Sequence, residues 1–196
     1  MKKFGVMIGV TILTSITIML FSINNYAQDS GKFKYTGSKK CKVCHSSPKS
    51  GAQFKQWESS KHAKAYETLA SEEAKKIGAE KGIANPQNDA QCLKCHVTAY
   101  GIDASMLDKG YNMADGVGCE SCHGAGEGYW KKKDMEDIAK GAVEGATLGL
   151  VKPTEETCKT CHNEGSPTFK GFNFVEMFKQ VNHMIPDDYK KEKGYK

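Results

Sequence analysis

Cys119-Glu120-Ser121-Cys122-His123 is one of four copies of Cys-x-x-Cys-His in this 196-residue chain. The other copies run from Cys41 to His45, from Cys92 to His96 and from Cys158 to His162. Together the four copies use all eight cysteines and four of the six histidines. We number them sites 1 to 4 in chain order, so the quoted stretch is site 3.

A cysteine pair followed directly by histidine is the attachment signature of c-type haem. Zinc knuckles and thioredoxin-like pairs also use Cys-x-x-Cys, but neither needs a histidine directly after the second cysteine. A disulfide within each pair would close a very small loop and staple nothing distant. We therefore predict four covalently bound haem c groups, attached through Cys41, Cys44, Cys92, Cys95, Cys119, Cys122, Cys158 and Cys161.

The number of histidines limits how the four irons can be ligated. The motif histidines fill one axial position each: His45, His96, His123 and His162. Only His62 and His183 remain, and we expect both to bind iron because spare histidines in a haem-dense chain are usually recruited. At most two haems can therefore have two histidine ligands from one chain.

The other two irons must have a different sixth ligand. Methionine, lysine, tyrosine, water, no ligand at all, or a residue of a neighbouring subunit remain as alternatives. Met113, Met135 and Met184 are candidate soft ligands, although methionine more often serves packing. An open iron would bind small molecules such as nitric oxide, hydroxylamine or peroxide.

The first 27 residues have the pattern of a secretory signal. Lys2 and Lys3 precede an uncharged, mostly apolar run from Val6 to Ile23, and Ala27 is a small residue at the expected cleavage point. The alternative is an uncleaved segment that attaches the protein to a membrane through residues 4–23. We expect an exported, periplasmic protein, because c-type haem is attached outside the cytoplasm, with residues 28–196 forming a single tetrahaem domain.

The fold that we expect is mainly α: a small multihaem cytochrome with short helices and long loops around closely packed haems. The best helix runs from about residue 52 to 77, and a loop follows over residues 82–89. Further helices are predicted over residues 135–143, from Thr154 onward, and around Phe174 and Phe178. The charged tail after Pro186 is expected to fray.

Every one of the 28 basic residues is lysine, and the formal net charge is +5. Each ferric haem with two ionised propionates contributes about −1, so four haems cancel most of this charge. The chain also lacks the aromatic spacing of a base-stacking surface. The lysines therefore predict docking to redox proteins, an electron donor and an acceptor, and no binding of nucleic acid.

The residues around the motifs resemble the tetrahaem cytochrome c-554 family, electron carriers associated with hydroxylamine oxidation. The likeness covers most of the mature chain and is carried by Lys39-Lys40-Cys41, by Trp57 with Lys61-His62-Ala63-Lys64-Ala65, by Gly116 to Gly124, by Cys158 to His162, and by Gly165-Ser166-Pro167. A phenylalanine-rich C-terminal helix with a late histidine extends it. The resemblance implies a mostly helical fold around haems stacked in close pairs.

The resemblance also implies a ligand set. Three haems have two histidine ligands and the second has one; His62 binds the third haem and His183 the fourth. The family's distal histidine for the first haem falls between sites 3 and 4. This chain has no histidine there, only Tyr129, Trp130, Lys131, Lys132, Lys133 and Met135, so the first haem is expected to have a methionine, a lysine or no sixth ligand.

We therefore expect an exported tetrahaem electron carrier that works by outer-sphere transfer between haems. One alternative is a small multihaem oxidoreductase that acts on a nitrogen oxide or hydroxylamine at an open iron. Another is a subunit of a polymeric cytochrome wire, in which neighbouring subunits donate the missing ligands; the sequence leaves the oligomeric state open.

Overall fold

The computed structural model describes residues 32–196, which are mainly helical. The predicted signal or anchor segment lies outside the described residues. Within them the only β pairing is an isolated bridge between Tyr35 and Leu107. The α-helices are α1 Ser38–His45, α2 Gln53–Glu58, α3 Ala65–Thr68, α4 Glu72–Glu80, α5 Ala90–His96, α6 Cys119–His123, α7 Lys132–Ala139, α8 Glu155–Lys159, α9 Phe174–Val181 and α10 Asp187–Lys193.

Short 3₁₀ turns link these helices, at Pro48–Ser50, Pro86–Asn88, Ala104–Met106, Met113–Asp115, Gly126–Gly128 and Gly145–Leu148. The longest α-helix has nine residues. The predicted fold class, mainly α with short helices and long loops, is therefore confirmed. No helix within residues 32–196 is long and apolar enough to cross a membrane.

Three of the four motifs coincide with the end of a helix. Helices α1, α5 and α6 each finish on the motif histidine, while α8 ends just before the second cysteine of site 4. Residues three and four apart lie on one face of a helix. The helical spacing therefore turns both thiols and the imidazole of a motif toward the same side.

Two of these helices have strong N-terminal caps. Asp89 Oδ1 accepts a hydrogen bond from Gln91 N at the start of α5 (2.8 Å). Thr154 and Thr157 form a reciprocal capping box at the start of α8. The predicted helix start at Thr154 is thus confirmed, and the caps fix where sites 2 and 4 begin.

The predicted long helix over residues 52–77 is wrong, because the segment breaks into α2, α3 and α4. Serines are responsible at both breaks. Ser60 Oγ accepts from Ala63 N (3.3 Å) after α2, and Ser71 Oγ accepts from Ala74 N (3.1 Å) to cap α4. Serine side chains compete with the helical ladder for backbone groups and favour ends and turns.

The C-terminal tail is also more ordered than expected. Residues after Pro186 form α10, and Lys196 N donates a hydrogen bond to Ala139 O (2.8 Å) at the end of α7. Tyr189 and Tyr195 form an edge-on pair with centroids 6.1 Å apart. The prediction of a frayed tail is therefore wrong, and the chain end is attached to α7.

Few apolar side chains are buried within the described residues. The main cluster contains Leu69, Leu93 and Val97, with Tyr66 and Cys92 packed against it. This cluster lies beside site 2, on α5 and the segment before α4. A chain of this size normally has a larger core, which fits the expectation that bound cofactors supply much of it.

Glu120 joins three separate segments through one buried carboxylate. Its oxygens accept from Thr36 N (2.7 Å), Gly37 N (2.8 Å) and Gly126 N (2.7 Å), and from Thr36 Oγ1 (3.3 Å). The residue is 3% exposed. Because Glu120 lies inside site 3 and Thr36 just precedes site 1, the carboxylate holds these two sites together.

Candidate haem-binding sites

His62 and the motif histidine of site 4 face each other. The ring centroids of His62 and His162 are 5.9 Å apart, and the ring planes cross at 75°. Phe172 stacks on the other side of His162, with centroids 5.2 Å apart. The two histidines come from distant segments, so tertiary structure alone creates this pair.

Backbone hydrogen bonds fix the loop that carries His62. Its carbonyl oxygen accepts from Val117 N (3.0 Å), and Trp57 Nε1 donates to Val117 O (2.9 Å). A Cβ on Gly116 would lie 2.8 Å from His62 O, and the φ of Gly116 is +67°. Only glycine tolerates both this close approach and this backbone angle, which explains the glycine just before site 3.

His183 faces the motif histidine of site 3. The ring centroids of His123 and His183 are 6.0 Å apart, and the planes cross at 67°. His183 Nδ1 lies 2.7 Å from Val181 O, and His123 Nδ1 lies 3.3 Å from Val151 O. A carbonyl can only accept, so both Nδ1 atoms carry the proton and both Nε2 atoms are free to bind a metal.

Both ring pairs have the spacing that a shared iron requires. Metal–imidazole nitrogen distances are about 2 Å, which puts two opposed ring centroids about 6 Å apart. Burial lowers the pKa of His62, and neighbouring His162 lowers it further. Burial likewise lowers the pKa of His123, against the opposing effect of the Val151 carbonyl. Both shifts favour the neutral form of His62 and His123, which is the form that binds a metal.

The pairing is the reverse of the one that the family resemblance implied. His62 was expected at the third haem and His183 at the fourth, but His62 lies against site 4 and His183 against site 3. His183 lies two residues after the end of α9, and the chain brings it to the motif histidine of α6 instead of that of site 4.

Sites 1 and 2 have no remaining histidine. All six histidines lie within the described residues, and both that stand outside the motifs face sites 3 and 4. At site 2, His96 Nδ1 donates to Ala65 O (2.7 Å). At site 1, burial lowers the pKa of His45, the Gln53 side chain raises it, and His183, which is paired with His123, lies near enough to lower it further.

Several residues between sites 3 and 4 form hydrogen bonds or ion pairs with other protein groups. Tyr129 OH donates to His123 O (3.0 Å) and Gly124 O (2.7 Å). On α7, Lys132 and Lys133 pair with Glu136 and Asp137. Met135 lies on the same helix and is partly buried, while Met113 and Met184 are 39% and 64% exposed.

Cysteine contacts connect the four sites in a row. Cys119 raises the pKa of Cys41 and Cys41 lowers that of Cys119, so the two thiols lie close together. Burial, then the neighbouring Cys161, raises the pKa of Cys95 to about 11. Site 1 therefore adjoins site 3, and site 2 adjoins site 4.

The two pairs of sites also meet each other. Burial raises the pKa of Cys122 to about 11, with further contributions from Cys158, Cys119 and Cys161. This places site 3 next to site 4. The motifs therefore run through the protein in the order 2, 4, 3, 1.

Three contributors to these sites were missed at the sequence level. Glu120 fills a variable position of its motif, Trp57 positions the His62 loop, and Gln53 lies against His45. Of the three, only Trp57 has a sequence signal, because it belongs to the stretch with His62 that carries the family resemblance. Nothing in the local pattern marks Glu120 or Gln53, since their partners lie on other segments.

A helical chain with these repeated attachment helices and opposed imidazoles defines a multihaem c-type cytochrome, an electron carrier. A family model described as cytochrome c554 and c-prime matches residues 40–124. Cytochrome c-554 of Nitrosomonas europaea is 31% identical over 200 aligned residues, covering 86% of this chain and 82% of that protein. The chain belongs to the cytochrome c-554 family.

A solved structure is similar as well. The reduced state of cytochrome c554 from Nitrosomonas europaea superposes with a TM-score of 0.54 at 27% identity, covering 78% of this chain and 85% of that one. Membership of the family implies covalently bound haem c and redox partners. The identity of each iron ligand and the number of haems are predictions.

Proposed function

We propose that this protein is an exported tetrahaem cytochrome that passes electrons between two redox proteins. The observation that carries the proposal is the combination of four attachment motifs with two opposed imidazole pairs in one chain. Bound haem supplies reversible one-electron chemistry at its iron. The chain supplies attachment, order and axial ligands.

Each group of residues has a defined role in this proposal. The eight motif cysteines tether the porphyrins, and His45, His96, His123 and His162 bind the irons on one side. His162 and His62 form the ligand pair at site 4, while His123 and His183 form the pair at site 3. Backbone carbonyls that accept from Nδ1–H orient the rings and increase their basicity.

The order of the sites sets the path along which electrons can travel. Sites 2 and 1 are the ends of the row, and sites 4 and 3 are its middle. The two sites with histidine pairs are therefore internal, and the two without are terminal. Docked partners would exchange electrons at the two ends.

The test is a reductive titration of the full-chain holoprotein. Intact mass should show four covalently attached haems, and the titration should take up four electrons reversibly. A Cys92→Ser/Cys95→Ser variant should retain three haems and three electrons. Fewer than four haems in the unaltered protein, or irreversible reduction, would overturn the proposal.

Export and processing form a separate part of the proposal. We infer that residues 1–27 are removed and that residues 28–196 fold in the periplasm as one tetrahaem domain. Two sequence features support this, the lysines at positions 2 and 3 and the apolar run that follows them. The attachment of c-type haem outside the cytoplasm, which requires export, supports it as well. The N-terminal sequence of the purified protein should begin at Gln28; an intact N-terminus in the membrane fraction would support the anchor instead.

One observation favours a second function: both histidines outside the motifs face sites 3 and 4. Two irons then have no second imidazole and are candidates for binding a nitrogen oxide or hydroxylamine. Turnover of these molecules by the holoprotein would establish an oxidoreductase. A ferric spectrum that does not change on their addition would exclude it.

A further inference from the structure

Site 1 exposes one of its attachment cysteines to solvent. Cys44 is exposed, whereas the other seven cysteines are partly buried. The second variable position of the motif differs too. Site 1 has Val43 there, 85% exposed, while sites 2, 3 and 4 have the polar residues Lys94, Ser121 and Thr160. Site 1 alone combines an apolar side chain in solvent with an exposed attachment cysteine.

Lysines surround this exposed position. Lys39, Lys42 and Val43 share one face of α1, because residues three and four apart align on a helix. Lys49 lies on the 3₁₀ turn that follows, and it too is exposed. We call Lys39, Lys42, Val43, Cys44 and Lys49 the site 1 face.

The site 2 end of the row has no such excess of lysine over acidic residues. Residues 38–58, around site 1, contain five lysines and one acidic residue. Residues 64–96, which lead into site 2, contain five lysines and five acidic residues. Two of the five lysines have acidic partners, Lys40 with Asp108 and Lys42 with Glu58 at 3.9 Å, but the excess of lysine over acidic residues along the chain is larger at the site 1 end.

We propose that the site 1 face is the docking surface for an acidic redox protein, which exchanges electrons with the haem at site 1. The inference rests on the proposed function, since it assigns a partner to one end of the row. An apolar centre with a charged rim is the usual anatomy of a transient interface. Complementary charge steers the encounter and raises its rate.

The test compares two triple variants that remove equal charge from the two ends. The site 1 variant is Lys39→Gln/Lys42→Gln/Lys49→Gln, and the control is Lys76→Gln/Lys81→Gln/Lys94→Gln at the site 2 end. The probe is reduced plant-type ferredoxin, an acidic one-electron donor, mixed with the ferric holoprotein under stopped flow. Rates are measured at ionic strengths of about 10 mM and about 1 M.

At low ionic strength the site 1 variant should react about tenfold more slowly than the unaltered protein, and the control less than about twofold. At high ionic strength both differences should disappear, because the Debye length falls to about 3 Å. With hexaammineruthenium(II), a cationic donor, the site 1 variant should react faster. Equal slowing by both variants, or slowing by the control alone, would overturn the assignment.

A single substitution tests the apolar centre. Val43→Asp places a negative charge in the middle of the face, whereas Thr160→Asp does the same at the equivalent position of site 4. Only Val43→Asp should slow the ferredoxin reaction. If Thr160→Asp slows it as much, the docking surface is elsewhere.

The result can be separated from a failure of the carrier function. If every variant holds four haems and titrates reversibly but the two triple variants behave alike, only the docking assignment fails. If the unaltered protein does not exchange electrons with either donor, the proposed function itself fails.

Discussion

The imidazole rings of His62 and His162 lie with their centroids 5.9 Å apart and their planes crossed at 75°. One ring belongs to a loop before α3 and the other to site 4. Their opposition supplies a two-histidine site from distant parts of the chain. The same is true of His123 and His183, so correct ligation depends on the tertiary fold.

Loss of His62 should change one haem only. We expect His62→Ala to convert one low-spin ferric haem to high spin, because its iron loses the second imidazole. Phe172→Leu removes the ring stacked on His162 and should perturb the signal of that same haem. Electron paramagnetic resonance of both variants checks this; different haems affected by the two changes would contradict the pairing.

The crossed ring planes carry a further expectation for the same spectra. Near-perpendicular imidazole planes give a strongly anisotropic low-spin ferric signal. Both histidine pairs should show it, and His183→Ala should remove the one that survives in His62→Ala. Two ordinary rhombic signals, which nearly parallel ring planes give, would be inconsistent with the observed angles of 75° and 67°.

Glu120 should matter more for stability than a variable position of the motif would suggest. Glu120→Ala leaves the buried N–H groups of Thr36, Gly37 and Gly126 without an acceptor and should lower the free energy of unfolding by about 3 kcal/mol. Glu127→Ala is the matched control, since Glu127 accepts one exposed bond from Lys34 N (2.9 Å). It should cost less than about 1 kcal/mol. Chemical denaturation of the holoproteins measures both, and equal losses would refute the role of Glu120.

Asp115 should make stability depend on pH. Burial raises the pKa of its carboxyl, against the lowering effects of Lys39 and Asn112, and Oδ2 is buried without a hydrogen-bond partner. A raised folded-state pKa means that the protonated form is favoured in the native state. Its stabilising contribution is therefore present at low pH and lost as pH rises through the folded-state pKa.

Asp115→Asn should remove this dependence. The variant should be more stable than the unaltered protein at pH 7, and the difference should shrink below the ordinary pKa of aspartate. Asp103→Asn is the control, because the pKa of Asp103 is lowered by the Ser105 hydrogen bonds and should give the opposite trend. Unfolding free energies across pH decide the matter; a constant difference between the Asp115 variant and the unaltered protein would contradict it.

Gln53 should tune the haem at site 1. Its side chain is 7% exposed and near enough to His45 to raise the pKa of that ring, and its Oε1 is buried with no hydrogen-bond partner among the described residues, so it is free to accept from the ring. An acceptor at Nδ1–H makes an imidazole more basic and stabilises ferric iron. We therefore expect Gln53→Leu to raise one reduction potential and Gln53→Glu to lower the same one.

An exposed glutamine on the same helix provides the control. Gln56 Nε2 donates to Gly51 O (2.7 Å), away from His45. Gln56→Leu should leave all potentials unchanged in the same spectroelectrochemical titration. Shifts in the same direction for Gln53→Leu and Gln53→Glu would indicate a structural disturbance instead.

The sequence was sufficient to predict the attachment motifs, the helical class and the family, because these depend on local spacing and composition. The division between two histidine-paired and two unpaired sites also followed from counting. The partners of His62 and His183 could not be predicted, since both pairs depend on which distant segments the tertiary fold brings together. Glu120 and Gln53 gave no local signal, because each acts on groups from other segments, and Ser60 and Ser71 interrupted a helix that apolar spacing alone favoured.

The central claim is that sites 3 and 4 have histidine pairs and sites 1 and 2 do not. Near-infrared magnetic circular dichroism of the ferric full-chain holoprotein, measured on the monomer, identifies axial ligands and counts them directly. We predict the intensity of two bis-histidine haems among four. A monomer with three or four such haems, or with fewer than two, would contradict the account.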